Sequence, residues 1–500
     1  MYREAFMSKA ETCDVIVIGG GSSAFEAAVA ARQAGAERVV MLEKAPEAEY
    51  GGNARFSHTG FRFCHSGKDE VREFLPDVAP AEFENMAIKP YTREEFLADL
   101  NRVTQGLIDA DLADTLVGES NAAAHWALET GIKWIPEKYA TVKGRFHFEP
   151  GRNVQTLGGG IGQLKQWRQI ATVLGIDIRF DSAVAAAHGT PRRIDGVRVS
   201  TTDRDYDLAA GAVVTCAGGF QANPEMRARY LGDNADLLKV RGSKHDTGEV
   251  LNMLLAMGAR AAGHWQGAHQ TPIDAGAPRF ETPVRDDGRG NSMNRYDYCH
   301  GITVNSLGRR FFDEGEAFHS YTYAKTGRAV RTQPGNIAYQ IYDRKGIAMF
   351  RHGADFKATM EEAQTIRDLA AKIGMNPDVL EDTVTRFNAA VDDSAPFDAS
   401  KLDGKRTRGL SPDKSNWAQK IDEAPFRAYP VSGGITFTFG GLAVDTSARV
   451  LNSSNQPIRG LYASGDIMGI FYHNYPSCTG QTRNIVFSRK AGQAAAKLAN

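Results

Sequence analysis

Cysteine is scarce in this 500-residue chain. Cys13, Cys64, Cys216, Cys299 and Cys478 are odd in number, widely spaced and without a CxxC pair. That argues against a disulfide framework and against the thiolate spacing of zinc or iron–sulfur sites, so no metal is expected and a reducing, cytoplasmic home is. No apolar run reaches the roughly 18 residues that a bilayer span needs, and residues 1–13 mix Arg3, Glu4, Lys9 and Glu11 without an apolar centre. No direct membrane insertion is expected. An excess of either charge is missing too: 59 Lys and Arg oppose 60 Asp and Glu, a net charge of -1. Such a chain has no long-range pull toward nucleic acid. Low-complexity tracts and short repeats are absent as well. The length allows two or three domains, or one large domain with a second inserted.

Glycine, by contrast, is abundant and placed. The apolar run 15–18 flows into Gly19, Gly20, Gly21, Ser22, Ser23 and Ala24, and a second apolar run, 39–42, ends at Glu43. Strand, glycine turn, helix and acidic residue in this order set a dinucleotide pyrophosphate on a helix N-terminus. Gly19 permits the turn, Gly21 lets the backbone approach phosphate, and Ala24 fills the small-residue position. Glu43 is placed to accept hydrogen bonds from ribose hydroxyls and would repel a 2′-phosphate, so FAD or NAD fits better than NADP.

Three later blocks read as parts of the same nucleotide-binding unit: β-rich runs at 175–184 and 196–200, a strand at 212–215 that stops at Ala217, Gly218 and Gly219, and a strand at 460–463 followed by Ser464, Gly465 and Asp466. A helical tail is expected over 484–498. Residues 264–430 differ in character, with more Arg, Tyr, His and Asp. A helical stretch is expected there over 360–392, broken at Gly374–Pro377, with Asn376 capping the second part. The expected organisation is a discontinuous cofactor domain, 10–263 with 431–500, and a capping domain, 264–430.

The ordered motifs GGGSSA, Glu43, Gly51–Gly52–Asn53, CAGGF, VNSLGRRFFDEG, GGLAVD and GLYASGD resemble the flavoprotein subunits of the fumarate reductase and succinate dehydrogenase superfamily over nearly the whole chain. GRRFFDEG followed by YTYAKTGRA, and FYHNYPSCTG, are most similar to FAD-dependent tricarballylate dehydrogenase and its relatives. The resemblance implies an α/β fold: a Rossmann-like, glutathione-reductase-type FAD-binding domain with an inserted α+β capping domain. It also implies that Gly19, Gly21, Ser22 and Ser23 hold the pyrophosphate, Glu43 the adenosine ribose, Gly52 and Asn53 the flavin side, and Asp466 the ribityl chain. Ser57, His58, Val184, Ala217, Gly218, Gly465, Thr479 and Gly480 complete the expected cofactor set. Ser57–His58–Thr59 echoes the motif around the flavin-linked histidine of succinate dehydrogenases, but anchoring on Gly51–Gly52–Asn53 misplaces His58 for that role. Non-covalent FAD is expected.

Two departures bear on the reaction. Aligned from Gly308 to Glu314, the superfamily's proton-delivering arginine falls on Phe318, and its dicarboxylate-binding histidine falls on Phe437. Fumarate is therefore not expected as substrate. Tyr475 and Pro476 resemble the YPGPG of ketosteroid 1-dehydrogenases, which implies that Tyr475 bonds a substrate carbonyl or carboxylate; the alternative is a tyrosine packed on Pro476. His473 is a second candidate. Tyr321 and Tyr323 are candidate proton acceptors if a cation such as Lys325, Arg309 or Arg310 lowers their pKa, and core aromatics otherwise. The arginines of the capping region (Arg285, Arg289, Arg295, Arg309, Arg310, Arg328, Arg331) suit a carboxylate, and Arg483 could balance negative charge on the flavin. The expected reaction is a dehydrogenation: hydride to flavin N5 and a proton to a side-chain base, leaving a double bond beside a carboxylate or ketone. A reductase running the same chemistry backwards, an oxidase using oxygen, a flavin-binding protein without turnover and an NAD-only dehydrogenase are the alternatives. Electrons are expected to pass to a separate acceptor, whether protein, quinone-linked or oxygen.

Overall fold

The computed structural model describes residues 10–137, 140–142, 144–282, 293–351, 355 and 357–499. Arg285 and Arg289 lie outside the described residues.

The first two apolar runs do not alternate because both faces of their strands are covered. β1 (Glu11–Ile18) pairs in parallel with β2 (Val39–Leu42), and β2 with β3 (Asp177–Arg179). β4 (Ala183–Thr190) and β5 (Arg193–Ser200) form an antiparallel ribbon leading into β6 (Asp205–Thr215). β6 lies parallel to β1 on one side and to the late strand Pro457–Ala463 on the other. Register sets Ile18, Leu42, Thr215 and Ala463 level. The turns that follow them, 19–21, 43–45, 216–218 and 464–466, are therefore neighbours on one edge. The carboxyl edge of an open parallel sheet is where such folds bind ligands.

Helix α1 (Ser22–Gln33) is rich in alanine because it is covered on both sides, by the sheet and by the final helix Thr479–Ala499. A Cβ on Gly492 would stand 2.2 Å from the Ala27 carbonyl oxygen, so these two helices meet backbone to backbone. The final helix begins five residues before the expected 484.

A second sheet is built around the long strand Phe426–Thr438. Lys239–Val240, Ala268–Asp274, Ile337–Tyr342 and Glu361–Ala363 all pair with it, and Ile302–Asn305 joins Ile337–Tyr342. Helix α2 (His319–Arg331) lies on this sheet so closely that a Cβ on Gly327 would stand 2.4 Å from the Thr271 oxygen. This sheet crosses the expected domain limits. Its spine runs through residue 430, and Lys239–Val240 joins it from before 264, because strand pairing rather than local composition recruits its members. The expected helical stretch also divides: Glu361–Ala363 is a strand, and helices occupy Ile366–Lys372 and Pro377–Ala390. Asn376 caps the second helix, its side chain accepting from Asp378 N at 2.9 Å.

Candidate active site

A cavity of about 1320 Å³ separates the carboxyl edge of the large sheet from the second sheet. Sites for drug-sized ligands run to roughly 1,000 Å³, so there is room for a long cofactor and a small substrate together.

Along the sheet edge the wall is made by Gly19–Ser23, Glu43, Gly52, Asn53, Val184, Ala217, Gly218, Asp246 and Asp466. The glycines divide by cause. Gly19 is required by the protein itself, with φ +120° and a would-be Cβ only 2.5 Å from the Cys216 oxygen. Gly21 is extended, and the nearest protein atom to its would-be Cβ is the Gly51 oxygen at 3.5 Å. Packing leaves that space open, as a close-lying ligand would require. Gly21 also heads α1 without any side-chain cap, so the first amide groups of the helix are available to an anion. Glu43 accepts from Ala45 N at 2.7 Å, and burial raises its pKa. Asp246 is raised further, by burial and then by neighbouring Asp466 and Glu43, and accepts from Gln221 Nε2 at 2.7 Å. Arg483 is buried, donates to Asp466 Oδ1 and lies over the Phe437 and Phe471 rings.

Deeper in, the wall changes to Tyr323, Tyr475, His269, Phe437, Arg241 and Tyr296. The Tyr323 and Tyr475 hydroxyls are 2.8 Å apart, and Ser477 Oγ donates to the Tyr323 oxygen at 3.3 Å. Burial pushes both phenols up, so both keep their protons at neutral pH. The His269 ring meets Tyr323 and Tyr475 edge-on. Burial, aided by the Arg241 charge, lowers its pKa and holds the imidazole neutral, and neither ring nitrogen has a hydrogen-bond partner. Opposite stands an ionic chain: Asp297 with Arg351 at 2.8 Å, Arg351 with His319 at 2.9 Å, His319 with Glu149 at 3.0 Å, and Arg152 between Glu149 and Glu137. Burial alone would raise the Glu149 pKa, but His319 and Arg152 carry it well below the usual range.

A sheet-edge glycine cradle with a long cavity beneath it is what a dinucleotide needs, and the family model described as an FAD binding domain matches residues 14–481. The chain belongs to this FAD-binding family. It is an FAD-dependent oxidoreductase, and the open cradle at Gly21 and the uncapped helix behind it fit the cofactor's pyrophosphate. Among curated proteins it is 28% identical to a probable fumarate reductase, Ifc3, of Shewanella frigidimarina, over 98% of this chain and 76% of that one. It is 26% identical to an NADH:fumarate oxidoreductase of Klebsiella pneumoniae, covering 97% of this chain but 48% of that one. Among solved structures, an open flavocytochrome c3 fumarate reductase superposes with TM-score 0.72 at 24% identity, over 99% of this chain and 80% of that one. A 3-ketosteroid delta1-dehydrogenase from Sterolibacterium denitrificans superposes with TM-score 0.73 at 20% identity, over 98% of this chain and all of that one. These two share its fold.

Most of the expected cofactor residues of this flavoprotein line the cavity: Gly19, Gly21, Ser22, Ser23, Glu43, Gly52, Asn53, Ser57, His58, Val184, Ala217, Gly218, Asp466 and Gly480. Gly465 and Thr479 do not. Gly465, at φ +80°, is there for packing, since a Cβ would stand 2.7 Å from Ser23 Oγ, and Thr479 is buried in the first turn of the final helix. His58 stands 3.6 Å from Glu137.

The five expected catalytic residues separate. Tyr475 and Tyr323 meet on the wall. Tyr321 is two residues from Tyr323 on α2, a rotation of roughly 200° that turns it to the other face. There its hydroxyl donates to Asp99 Oδ2 at 2.8 Å and the guanidinium of Arg62 covers its ring. His473 is directed to an outer groove with Lys325 and Arg328, its ring against His264. Arg310 is held by Glu314 and by the Pro412 carbonyl, off the cavity wall. Lys325 pairs with Glu316 at 2.6 Å. Arg310 and Lys325 are thus engaged elsewhere, and Arg309 is exposed and off the cavity wall. Sequence reasoning missed Arg241, His269, Tyr296, Glu137, Glu149 and Arg152, which come from segments without a glycine motif. The one local sign was the polar Ala268–Asp274 strand, whose residues are all buried.

Proposed function

We propose that this flavoprotein adds hydrogen across a carbon–carbon double bond conjugated to the carboxylate or ketone of a small organic acid. One observation carries the reading: two buried, protonated phenols, Tyr323 and Tyr475, 2.8 Å apart beside the neutral His269 on the cavity wall. Among the described residues no cationic group hydrogen-bonds to either hydroxyl, so both keep their protons, and because one hydroxyl donates to the other the pair presents a single free O–H to the cavity. Donors aimed at a conjugated carbonyl draw electrons from the double bond and make its far carbon electrophilic. When bound, FAD supplies hydride chemistry at its N5. With Ser477 donating to Tyr323 and Tyr323 to Tyr475, the Tyr475 O–H holds the carbonyl and has a proton to give at its oxygen. Phe437, backed by Phe439 and Phe471, keeps water from that end. The Phe426–Thr438 sheet with α2 serves as the cap.

The dehydrogenation expected from the sequence is the same couple run in reverse. Arg241 Nη1 donates to the Tyr296 hydroxyl oxygen at 3.0 Å and its charge lowers that phenol's pKa, but burial outweighs it and the net shift is upward, so Tyr296 keeps its proton at neutral pH. All five cysteines are free, which supports a reducing, cytoplasmic setting. Among the described residues no helix is long and apolar enough to cross a membrane. Electrons come from or go to a separate carrier.

The test is anaerobic. Photoreduced holoenzyme is mixed with acrylate, fumarate, urocanate or a cyclic enone, and the oxidised enzyme with the saturated counterparts. Return of the visible flavin band in the first set supports reduction, and bleaching in the second supports dehydrogenation. Silence in both sets overturns the reading.

A further inference from the structure

Four arginines line the cavity: Arg152, Arg241, Arg351 and Arg483. Three are neutralised. Arg152 lies between Glu137 and Glu149, Arg351 is on Asp297, and Arg483 is on Asp466. The lining lysine, Lys44, is on Glu249 at 3.0 Å. Arg241 has no carboxylate partner among the described residues, although it is only 8% exposed. An uncompensated buried cation is costly unless an anion joins it.

The guanidinium is also oriented. Nη1 is used, donating to the Tyr296 oxygen at 3.0 Å and to Thr436 Oγ1 at 3.2 Å. Nε is buried without a partner. Nη2 is left without a partner among the described residues, and a guanidinium nitrogen of this kind makes a charge-assisted hydrogen bond to a carboxylate. His269, 2% exposed and with both ring nitrogens unpartnered, shares this end of the cavity and adds a neutral donor.

We infer that the cavity takes a monocarboxylate, its single carboxylate seated on the free Nη2 of Arg241. This rests on the reading of the inner cavity as the substrate chamber, and it narrows that reading. A dicarboxylate would bring a second charge to a wall whose other arginines already face carboxylates. The resemblance to tricarballylate dehydrogenase does not extend to a site for three carboxylates.

Binding is measured apart from turnover, by perturbation of the flavin spectrum of the holoenzyme with propionate, propionamide and succinate. Propionate is expected to bind, propionamide to bind far more weakly, and succinate more weakly than propionate. Arg241→Gln is expected to raise the propionate Kd by about 10- to 100-fold, the scale of a charged hydrogen bond, and to leave that for propionamide unchanged. Arg241→Lys keeps the charge without the guanidinium and falls between. Equal affinity of the wild type for propionate and propionamide overturns the inference without any variant. So does a variant that shifts the flavin midpoint potential while the propionate Kd stays fixed, since Arg241 would then serve the cofactor. Binding with these preferences and no turnover would leave the inference standing and the proposed reaction refuted.

Discussion

Removing one oxygen atom, by Tyr475→Phe, separates the catalytic reading of the tyrosine pair from a packing role. The Tyr475 ring is 5% exposed and packs against Phe437, Phe439, Phe471 and His269, and phenylalanine keeps those contacts. The fold loses a single hydrogen bond, and Tyr323 keeps Ser477 at 3.3 Å. That costs about 1 kcal/mol, a melting shift of no more than about 2 °C in a chain of this size. The reaction loses the O–H that the Ser477–Tyr323 chain leaves free for substrate, and a donor that strengthens as charge grows on the substrate oxygen contributes about 10²- to 10³-fold in kcat. Because Tyr323 remains, the expected loss is about 10²-fold. Adding Tyr323→Phe should cost less than the product of the single effects, since the two hydroxyls act as a unit. Stopped-flow reoxidation of reduced enzyme by the substrate from the anaerobic screen reads the step directly. A Tyr475→Phe enzyme that keeps more than about a tenth of wild-type kcat would refute the donor role.

Gly21→Val should fold with unchanged far-UV circular dichroism and purify colourless, because its Cβ would stand 3.5 Å from the Gly51 oxygen and point its methyl groups into the space left for the cofactor; Gly19→Ala should instead lose folded yield, and equal retention of flavin by Gly21→Val would contradict the cradle. Arg310→Ala leaves Glu314, 1% exposed, without its guanidinium. It should destabilise the protein by about 3–5 kcal/mol, with kcat/KM per bound flavin unmoved, and a selective fall in kcat/KM would return Arg310 to the site. Glu26 on α1 is fully buried, and burial raises its pKa to about 8. The folded chain then holds a proton there that the unfolded chain releases above the ordinary 4.5. Stability must therefore fall as pH rises from 4.5 toward 8, by at most about 1.4 kcal/mol per unit. Thermal midpoints of wild type and Glu26→Gln across that window should diverge, and parallel curves would show Glu26 to be ionised in the fold.

The glycine cradle at the sheet edge is written in local sequence. Gly19, Gly21 and Glu43 are legible because a glycine turn between an apolar run and a helix acts over a few residues, and local spacing records it. The same holds for Asn376, which caps the helix beginning at the next residue by accepting from the amide two residues on. The course of the second sheet, the final helix start and the inner cavity wall were not legible, since each depends on contacts across long separations. Tyr321 and Tyr323 look equivalent in sequence, and only helical rotation turns one to the cavity and the other to Asp99. Arg310 and Arg241 look equivalent as cations. Arg310 meets Glu314, four residues on in the chain, whereas among the described residues no carboxylate reaches Arg241, and that outcome is set by which side chains tertiary packing brings together in space.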